Sequence, residues 1–76
     1  MFTVYSMDGC GYCQQVVKLL EMTSQSFVTY KLDKHFTIEE FESEFGTKTF
    51  PMVTKDQEII GGASDVAQYF KDNGLA

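Results

Sequence analysis

The sequence contains 76 residues, 43% of them hydrophobic and 14% aromatic, and carries a formal net charge of -5 at pH 7. A chain of this length can bury one hydrophobic core, so we expect a single domain spanning residues 1–76. Its six basic residues are all lysines scattered along the chain, which argues against a nucleic-acid partner, because phosphate binding needs clustered cations.

The first residues, MFTVYSMDGC, carry neither the basic start nor the apolar run of a secretory signal peptide. No segment approaches the roughly 18 apolar residues that a membrane span requires. We therefore expect a cytoplasmic protein without a membrane partner.

The beginning of the chain predicts a strand, a helix and a second strand. Residues 2–5 are rich in β-forming side chains and lead to the turn-forming pair Asp8-Gly9. A helix is predicted over residues 11–22, because apolar residues recur there with helical spacing. These residues are Cys13, Val16, Val17 and Leu20. Residues 27–32 predict the second strand, which should lie parallel to the first because a helix connects the two.

The second helix has the clearest boundary signals. Thr37 and Glu40 have the spacing of a capping box, and Gly46 is a typical terminator. We therefore expect the helix to begin after Thr37 and to end at Gly46. Its predicted apolar face consists of Ile38, Phe41 and Phe45.

The last part of the chain predicts a β-hairpin and a third helix. Residues 52–54 and 58–60 are short strand-like runs separated by polar residues. Gly61-Gly62 then interrupts the chain, Ser64 can cap a helix, and Asn73-Gly74 ends it. The predicted buried face of this helix consists of Val66, Tyr69 and Phe70. The order βαβαββα indicates an α/β fold with a four-stranded mixed sheet flanked by helices.

Cys10 and Cys13 lie where the first strand meets the first helix. Cys10 falls at the predicted helix N-terminus, where free backbone N–H groups and the positive end of the helix dipole favour a thiolate. Cys13 lies one turn later at the start of the apolar stripe, so it should be less exposed. A CxxC pair in this βαβ context is typical of redox proteins, with Cys10 attacking and Cys13 resolving the mixed disulfide.

Two other interpretations of the cysteine pair fit the sequence less well. A disulfide between residues this close in sequence closes too short a loop to stabilise the fold much. A structural zinc ion needs a tetrahedral set of N or S ligands, and His35 is the only histidine beside the two cysteines, so we expect no metal site in the monomer. His35 lies in a polar segment and is expected to be a solvated loop residue.

Three motifs taken together resemble those of the glutaredoxin family. They are CGYC at residues 10–13, TFP at 49–51 and GGASD at 61–65. The resemblance covers essentially the whole chain. It implies the thioredoxin-like fold of the glutaredoxins, in which these segments meet around one site, and the activity of a glutathione-disulfide oxidoreductase.

The resemblance also implies a glutathione site. Pro51 would follow a cis peptide bond, and Phe50 would offer its main chain to the cysteine part of glutathione. The γ-glutamyl carboxylate would meet backbone N–H groups of Ala63 and Ser64, and its amine would meet Asp65. The full set of implied glutathione-binding residues is Tyr12, Thr49, Phe50, Pro51, Ala63, Ser64 and Asp65.

Three positions depart from the common glutaredoxin pattern. Met7 replaces a basic residue that usually meets a glutathione carboxylate, a role for which Lys48 is a substitute candidate. Phe50 replaces a small branched residue and should enlarge the apolar rim of the site. Gly11 replaces a proline, which leaves the loop beside Cys10 freer to adjust to a metal.

The favoured function is a glutathione-dependent reductase of protein disulfides or glutathione mixed disulfides, with a ribonucleotide reductase as one candidate substrate. A second hypothesis is a redoxin that donates electrons to ribonucleotide reductase and is recharged by a flavoprotein reductase. The segment GGASD favours glutathione, because it offers an anion-binding helix start. A third hypothesis is a carrier of a 2Fe-2S cluster bridging two chains, with Cys10 and glutathione as ligands. We expect the protein without a cluster to be a monomer.

Overall fold

A computed structural model describes residues 1–75 of the chain. The strands are β1 (Phe2–Ser6), β2 (Phe27–Lys31), β3 (Met52–Lys55) and β4 (Glu58–Gly61), and the helices are α1 (Gly11–Met22), α2 (Ile38–Phe45) and α3 (Ala63–Asp72). The predicted element order is confirmed, and each strand ends within one residue of its predicted end. Within residues 1–75, no helix combines the length and apolar character needed to cross a membrane.

The four strands form one mixed sheet, as predicted, and the structure gives their order as β2-β1-β3-β4. β1 runs parallel to β2 and antiparallel to β3, and β3 pairs antiparallel with β4. In the parallel pair, Ser6 lies opposite Lys31. The carboxyl ends of β1 and β2 therefore meet at one edge of the sheet, beside the segment that leads to the cysteine pair.

The main hydrophobic core lies on the face of the sheet that α1 and α3 cover. Alternate residues of a strand point to opposite faces, and Phe2 and Val4 of β1 point into this core. The fully buried core residues are Phe2, Val4, Val16, Leu20, Val53, Val66 and Phe70. Because α1 contributes two of them, the core fixes the helix that carries the cysteine pair against β1.

The opposite face of the sheet carries α2 and a second group of packed rings. The Tyr5 ring points to this face, and its centroid lies 5.1 Å from that of Phe45 and 6.0 Å from that of Phe41. Phe36 and Phe50 stack on Phe41 from the loops on either side of α2. We refer to Tyr5, Phe36, Phe41, Phe45 and Phe50 as the aromatic cluster. The sheet is thus covered by helices on both faces, as predicted.

The predicted boundaries of α2 are confirmed by its end contacts. The Thr37 hydroxyl accepts a hydrogen bond from the Glu40 backbone N–H at 3.2 Å, and the Glu40 carboxylate accepts one from the Thr37 backbone N–H at 2.8 Å. At the other end Gly46 takes the left-handed conformation, with φ 71°, which glycine adopts without strain. Local chemistry alone therefore sets both ends of this helix.

The predicted cap of α3 is wrong. Gly62, not Ser64, is the N-cap residue, and Ser64 lies inside the first turn. The physical reason is that Asp65 reaches back, so that its Oδ2 accepts a hydrogen bond from the Gly62 backbone N–H at 3.0 Å. That bond caps the helix at Gly62, two residues before Ser64. The predicted end at Asn73-Gly74 is confirmed.

Candidate active site

Cys10 is the N-cap residue of α1. Its backbone is extended, with φ -95° and ψ 102°, and Gly9 before it has φ 72°, so the chain turns sharply from β1 into the helix. The Cys10 Sγ accepts a hydrogen bond from the backbone N–H of Cys13 at 3.1 Å, taking the place of the oxygen that usually caps a helix. A donor and the positive end of the helix dipole therefore face this sulfur, which favours the thiolate when the pair is reduced.

The two cysteines are joined by a disulfide, with their Cα atoms 5.3 Å apart. Their exposures differ. Cys13, in the first turn of α1, is 4% exposed, whereas Cys10 is partly exposed. An incoming thiol or disulfide therefore reaches Cys10 first, and one turn of helix keeps Cys13 close enough to form or break the intramolecular bond.

The loop before β3 forms one wall beside the cysteine pair. The peptide bond between Phe50 and Pro51 is cis. Upstream, the Thr49 backbone N–H donates to the Thr47 hydroxyl at 3.3 Å, and the two threonine hydroxyls lie 3.1 Å apart. The Phe50 ring turns away from the loop to stack on Phe41, so the loop is tied to α2.

The start of α3 forms a second wall. Gly61 has φ +125°, and a Cβ at this position would run into the Asp65 carboxylate. At Gly62, a Cβ would lie 3.6 Å from the carbonyl oxygen of Pro51, which shows how closely the helix start approaches the proline loop. The glycine pair thus lets the chain pass the loop and begin a helix beside it.

Five predicted site residues line one shallow cavity of about 280 Å³ between these walls. We call it the Tyr12 pocket; it is lined by Tyr12, Phe50, Pro51, Ala63 and Ser64. Tyr12, between the two cysteines in sequence, is 65% exposed. The structure therefore brings together one residue of α1, the proline loop and the first turn of α3.

Two predicted residues do not line the Tyr12 pocket. Thr49 is exposed and bonds to Thr47, as described above. Asp65 is also exposed, and one of its carboxylate oxygens is engaged by the Gly62 N–H. Both residues lie next to the pocket in sequence, at Phe50 and Ser64 respectively.

A second cavity, of about 300 Å³, is formed at the cysteine pair itself. Cys10 and Cys13 line it together with Met7, Asp8 and Lys31. The Lys31 ammonium pairs with the Asp8 carboxylate at 2.6 Å. This cavity places a lysine and an aspartate beside the sulfur atoms.

The sequence interpretation did not identify Lys31 as a site residue. Its only signal in the sequence is its place at the end of the second strand, which lies parallel to the first. Lys48, which the sequence suggested as a substitute cation, instead has its Nζ 3.8 Å from the carboxylate Oε2 of Glu42 in α2. His35 is exposed, as predicted, and its Nδ1 accepts a hydrogen bond from the Lys31 backbone N–H at 3.0 Å.

Solved structures of glutaredoxins share this fold. The buckwheat glutaredoxin–glutathione complex superposes with a TM-score of 0.84 at 28% identity, covering 97% of this chain and 71% of the buckwheat chain. Reduced Escherichia coli glutaredoxin gives a TM-score of 0.83 at 26% identity, covering 99% of this chain and 98% of its own. The holo form of glutaredoxin C1 from Populus tremula x tremuloides gives a TM-score of 0.83 at 28% identity, covering 97% of this chain and 70% of the Populus chain.

No curated protein sequence gives a significant match to this chain. The sequence profile of the family Glutaredoxin matches residues 2–60, which include β1, the cysteine pair, the proline loop and most of β4. The profile match and the shared fold agree with a close cysteine pair at the N-terminus of α1. The chain belongs to the glutaredoxin family, and Cys10 and Cys13 form its redox-active pair.

Proposed function

We propose that this protein is a glutathione-dependent thiol–disulfide oxidoreductase that reduces glutathione mixed disulfides and protein disulfides. The observation that carries the proposal is the Tyr12 pocket, which joins Tyr12 of the CGYC segment to the proline loop and the first turn of α3. The buckwheat relative, whose structure is described as a glutathione complex, supports the same ligand.

Glutathione is proposed to lie along the proline loop. The main chain of Phe50 pairs with the cysteine part of the tripeptide in an extended arrangement. The γ-glutamyl carboxylate lies at the start of α3, where first-turn N–H groups such as those of Ala63 and Ser64 have no acceptor within the helix. Asp65 keeps one carboxylate oxygen for the γ-glutamyl amine while the other holds the Gly62 N–H.

The proposed reaction with a glutathione mixed disulfide needs only Cys10. Its thiolate attacks the glutathione sulfur, the disulfide bond of the substrate breaks, and the substrate leaves as a thiolate that takes up a proton. The thiolate of a second glutathione then attacks the glutathione sulfur bound to Cys10. Oxidised glutathione leaves, and the Cys10 thiolate is restored.

The proposed reaction with a protein disulfide uses both cysteines. Cys10 forms a mixed disulfide with one substrate sulfur, and Cys13 then attacks Cys10 and releases the reduced substrate dithiol. The product is the Cys10–Cys13 disulfide seen in the structure. Two glutathiones reduce this disulfide in turn and leave as oxidised glutathione.

A coupled assay tests the proposal. The reduced protein is mixed with a glutathione mixed disulfide, glutathione, glutathione reductase and NADPH, and NADPH oxidation is followed. We expect turnover that depends on both the protein and glutathione. Turnover sustained by a thioredoxin-type flavoprotein reductase, and not by glutathione, would favour instead a redoxin that serves a ribonucleotide reductase.

A second candidate function is the transport of a 2Fe-2S cluster between two chains. Within residues 1–75, no group of three or more His, Cys, Asp or Glu side chains is arranged to hold a metal ion, so one chain alone does not fit a resident cluster. Two Cys10 thiolates and two glutathione thiolates would supply the ligands. The favouring observation is Gly11, the first residue of α1, where glycine in place of proline leaves the backbone beside Cys10 less restricted.

Anaerobic reconstitution with glutathione, iron and sulfide tests this candidate. A cluster carrier gives a coloured dimer from the wild type and a colourless monomer from Gly11→Pro. A colourless monomer from both proteins would rule out the carrier function and leave the reductase.

A further inference from the structure

A groove separate from the cysteine pair opens between α2 and β2, on the face of the sheet that carries the aromatic cluster. Its volume is about 250 Å³, and none of its lining residues lines either cavity beside the cysteines. We call it the Tyr5 groove; its walls include Tyr5, Tyr30, Phe36 and Phe45, with the carboxylates of Glu40 and Glu44 beside them.

The walls of the Tyr5 groove are aromatic rings gathered around Tyr5. The Tyr5 centroid lies 5.8 Å from that of Tyr30, 5.5 Å from that of Phe36 and 5.1 Å from that of Phe45. Tyr30 remains 39% exposed, although the His35 ring, which also lines the groove, packs against it edge-on with centroids 5.7 Å apart. The groove therefore offers aromatic faces that the fold itself leaves partly uncovered.

The carboxylates of the groove make no ion pair within residues 1–75, although one Glu40 oxygen accepts the Thr37 backbone N–H at the start of α2. The ion pairs among residues 1–75 join the N-terminus to Asp56, Lys31 to Asp8, and Lys48 to Glu42, and none of them involves Glu40 or Glu44. Glu44 also lies near the C-terminal end of α2, where the helix dipole is negative and no basic residue is present. The helix dipole does not favour a carboxylate at that position, so removing its charge should not destabilise the helix.

The titration of Tyr5 agrees with this geometry. Burial of the hydroxyl, followed by the nearby charges of Glu44 and Tyr30, raises the pKa of Tyr5 above its ordinary value of 10.0. Glu44 lines the groove together with Tyr5, so both residues can contact the same bound group.

We propose that the Tyr5 groove binds an arginine side chain of a protein partner. A guanidinium group is planar, stacks on aromatic faces and pairs with carboxylates, so it matches both components of the groove. The net charge of -5 favours a basic partner in general.

The groove is linked to the active site through adjoining rings. Phe36, in its wall, stacks on Phe50 at 6.1 Å, and Phe50 in turn lines the Tyr12 pocket. A partner that places an arginine in the groove therefore lies next to the loop beside Cys10. The binding itself does not depend on the proposed redox function, so the two can be tested apart.

The test uses the full-length protein labelled with ¹⁵N and titrated with N-acetyl-arginine amide. We expect saturable NMR shifts centred on Tyr5, Tyr30 and Glu44. N-acetyl-citrulline amide, which has nearly the same shape without the charge, should produce shifts that do not saturate. Glu44→Gln should weaken the binding of the arginine probe about fivefold. It should also raise the unfolding midpoint, because it removes a carboxylate from the C-terminal end of the helix.

Glu39→Gln is the matched control, because Glu39 is exposed on the same helix but does not line the groove. It should leave the affinity for the arginine probe unchanged. Equal binding of the citrulline probe, equal weakening by the two variants, or shifts located away from Tyr5 and Tyr30 would each overturn the proposal. The coupled glutathione assay, run on the same samples, reports separately on the proposed redox function.

Discussion

The ring of Phe50 stacks on the ring of Phe41, with centroids 4.5 Å apart and planes inclined by 27°. Phe50 directly precedes Pro51, so one side chain connects the loop beside the active site to α2. The sequence predicted that this phenylalanine would enlarge the apolar rim of the site. The structure shows that Phe50 lines the Tyr12 pocket and also anchors the loop through its stacking on Phe41.

Phe50→Val tests the anchoring role. The smaller side chain keeps the main chain that is proposed to pair with glutathione but loses the stacking, so the loop should become less fixed. We expect a loss of about 1.5 kcal/mol in the free energy of unfolding and a KM for the glutathione mixed disulfide about threefold higher, with little change in kcat. Denaturant unfolding and steady-state kinetics measure the two effects.

Phe27→Val is the control for that experiment. Phe27 is partly buried against the main core at the far end of β2, away from the cysteine pair. Phe27→Val should lower the free energy of unfolding by a similar amount and leave the KM for the glutathione mixed disulfide unchanged. An equal rise in KM in both variants would show that Phe50 acts through general stability alone.

The roles of the two cysteines are tested by replacing each with serine. Cys10→Ser should abolish exchange, because Cys10 carries the accessible sulfur that accepts the Cys13 N–H. Cys13→Ser should keep activity on glutathione mixed disulfides, since a second glutathione can release the intermediate. The coupled assay measures both. Activity in Cys10→Ser together with none in Cys13→Ser would reverse the assignment.

Met7→Lys should tighten glutathione binding. Met7 is 41% exposed, and the common glutaredoxin pattern has at this position a basic residue that meets a glutathione carboxylate, so an added ammonium should restore that contact. The gain is at most about 1 kcal/mol for an exposed pair and should fade as salt is added. Titration with glutathione at low and high ionic strength measures it. Met22→Lys, at the other end of α1, is the control and should have no effect.

Gly61→Ala should damage the start of α3. The backbone φ of +125° is strained for any residue with a Cβ, and the added methyl group would run into the Asp65 carboxylate that caps the helix. We expect a loss of about 1 to 3 kcal/mol in the free energy of unfolding, together with weaker glutathione binding. Thermal unfolding and glutathione titration report both changes.

Gly11→Ala is the matched control for Gly61→Ala. A Cβ at Gly11 meets no heavy atom within 4 Å. Alanine is also a better helix former than glycine, so stability should be unchanged or slightly higher. A tolerated Gly61→Ala substitution would show that the helix start adjusts more freely than its geometry indicates.

The sequence by itself determined the features that depend on neighbouring residues. Thr37, Glu40 and Gly46 set the ends of α2 through contacts within a few positions along the chain, and the two cysteines mark the start of α1 in the same way. Such contacts form within a single helical turn, so a linear pattern records them completely. At the start of α3 the sequence interpretation chose Ser64 over Gly62, because glycine has no capping side chain and the contact is made instead by the Asp65 carboxylate with the Gly62 N–H.

Only the tertiary structure decided which distant residues meet. The parallel register of β1 and β2 brings Lys31 to Asp8 beside the cysteine pair, and no pattern near either residue indicates this. Likewise, tertiary packing places the ring of Phe50 against Phe41 of α2 and the ring of Tyr5 against Phe45 of the same helix. These relationships depend on strand register and side-chain direction in three dimensions, which the order of residues specifies only through the complete fold.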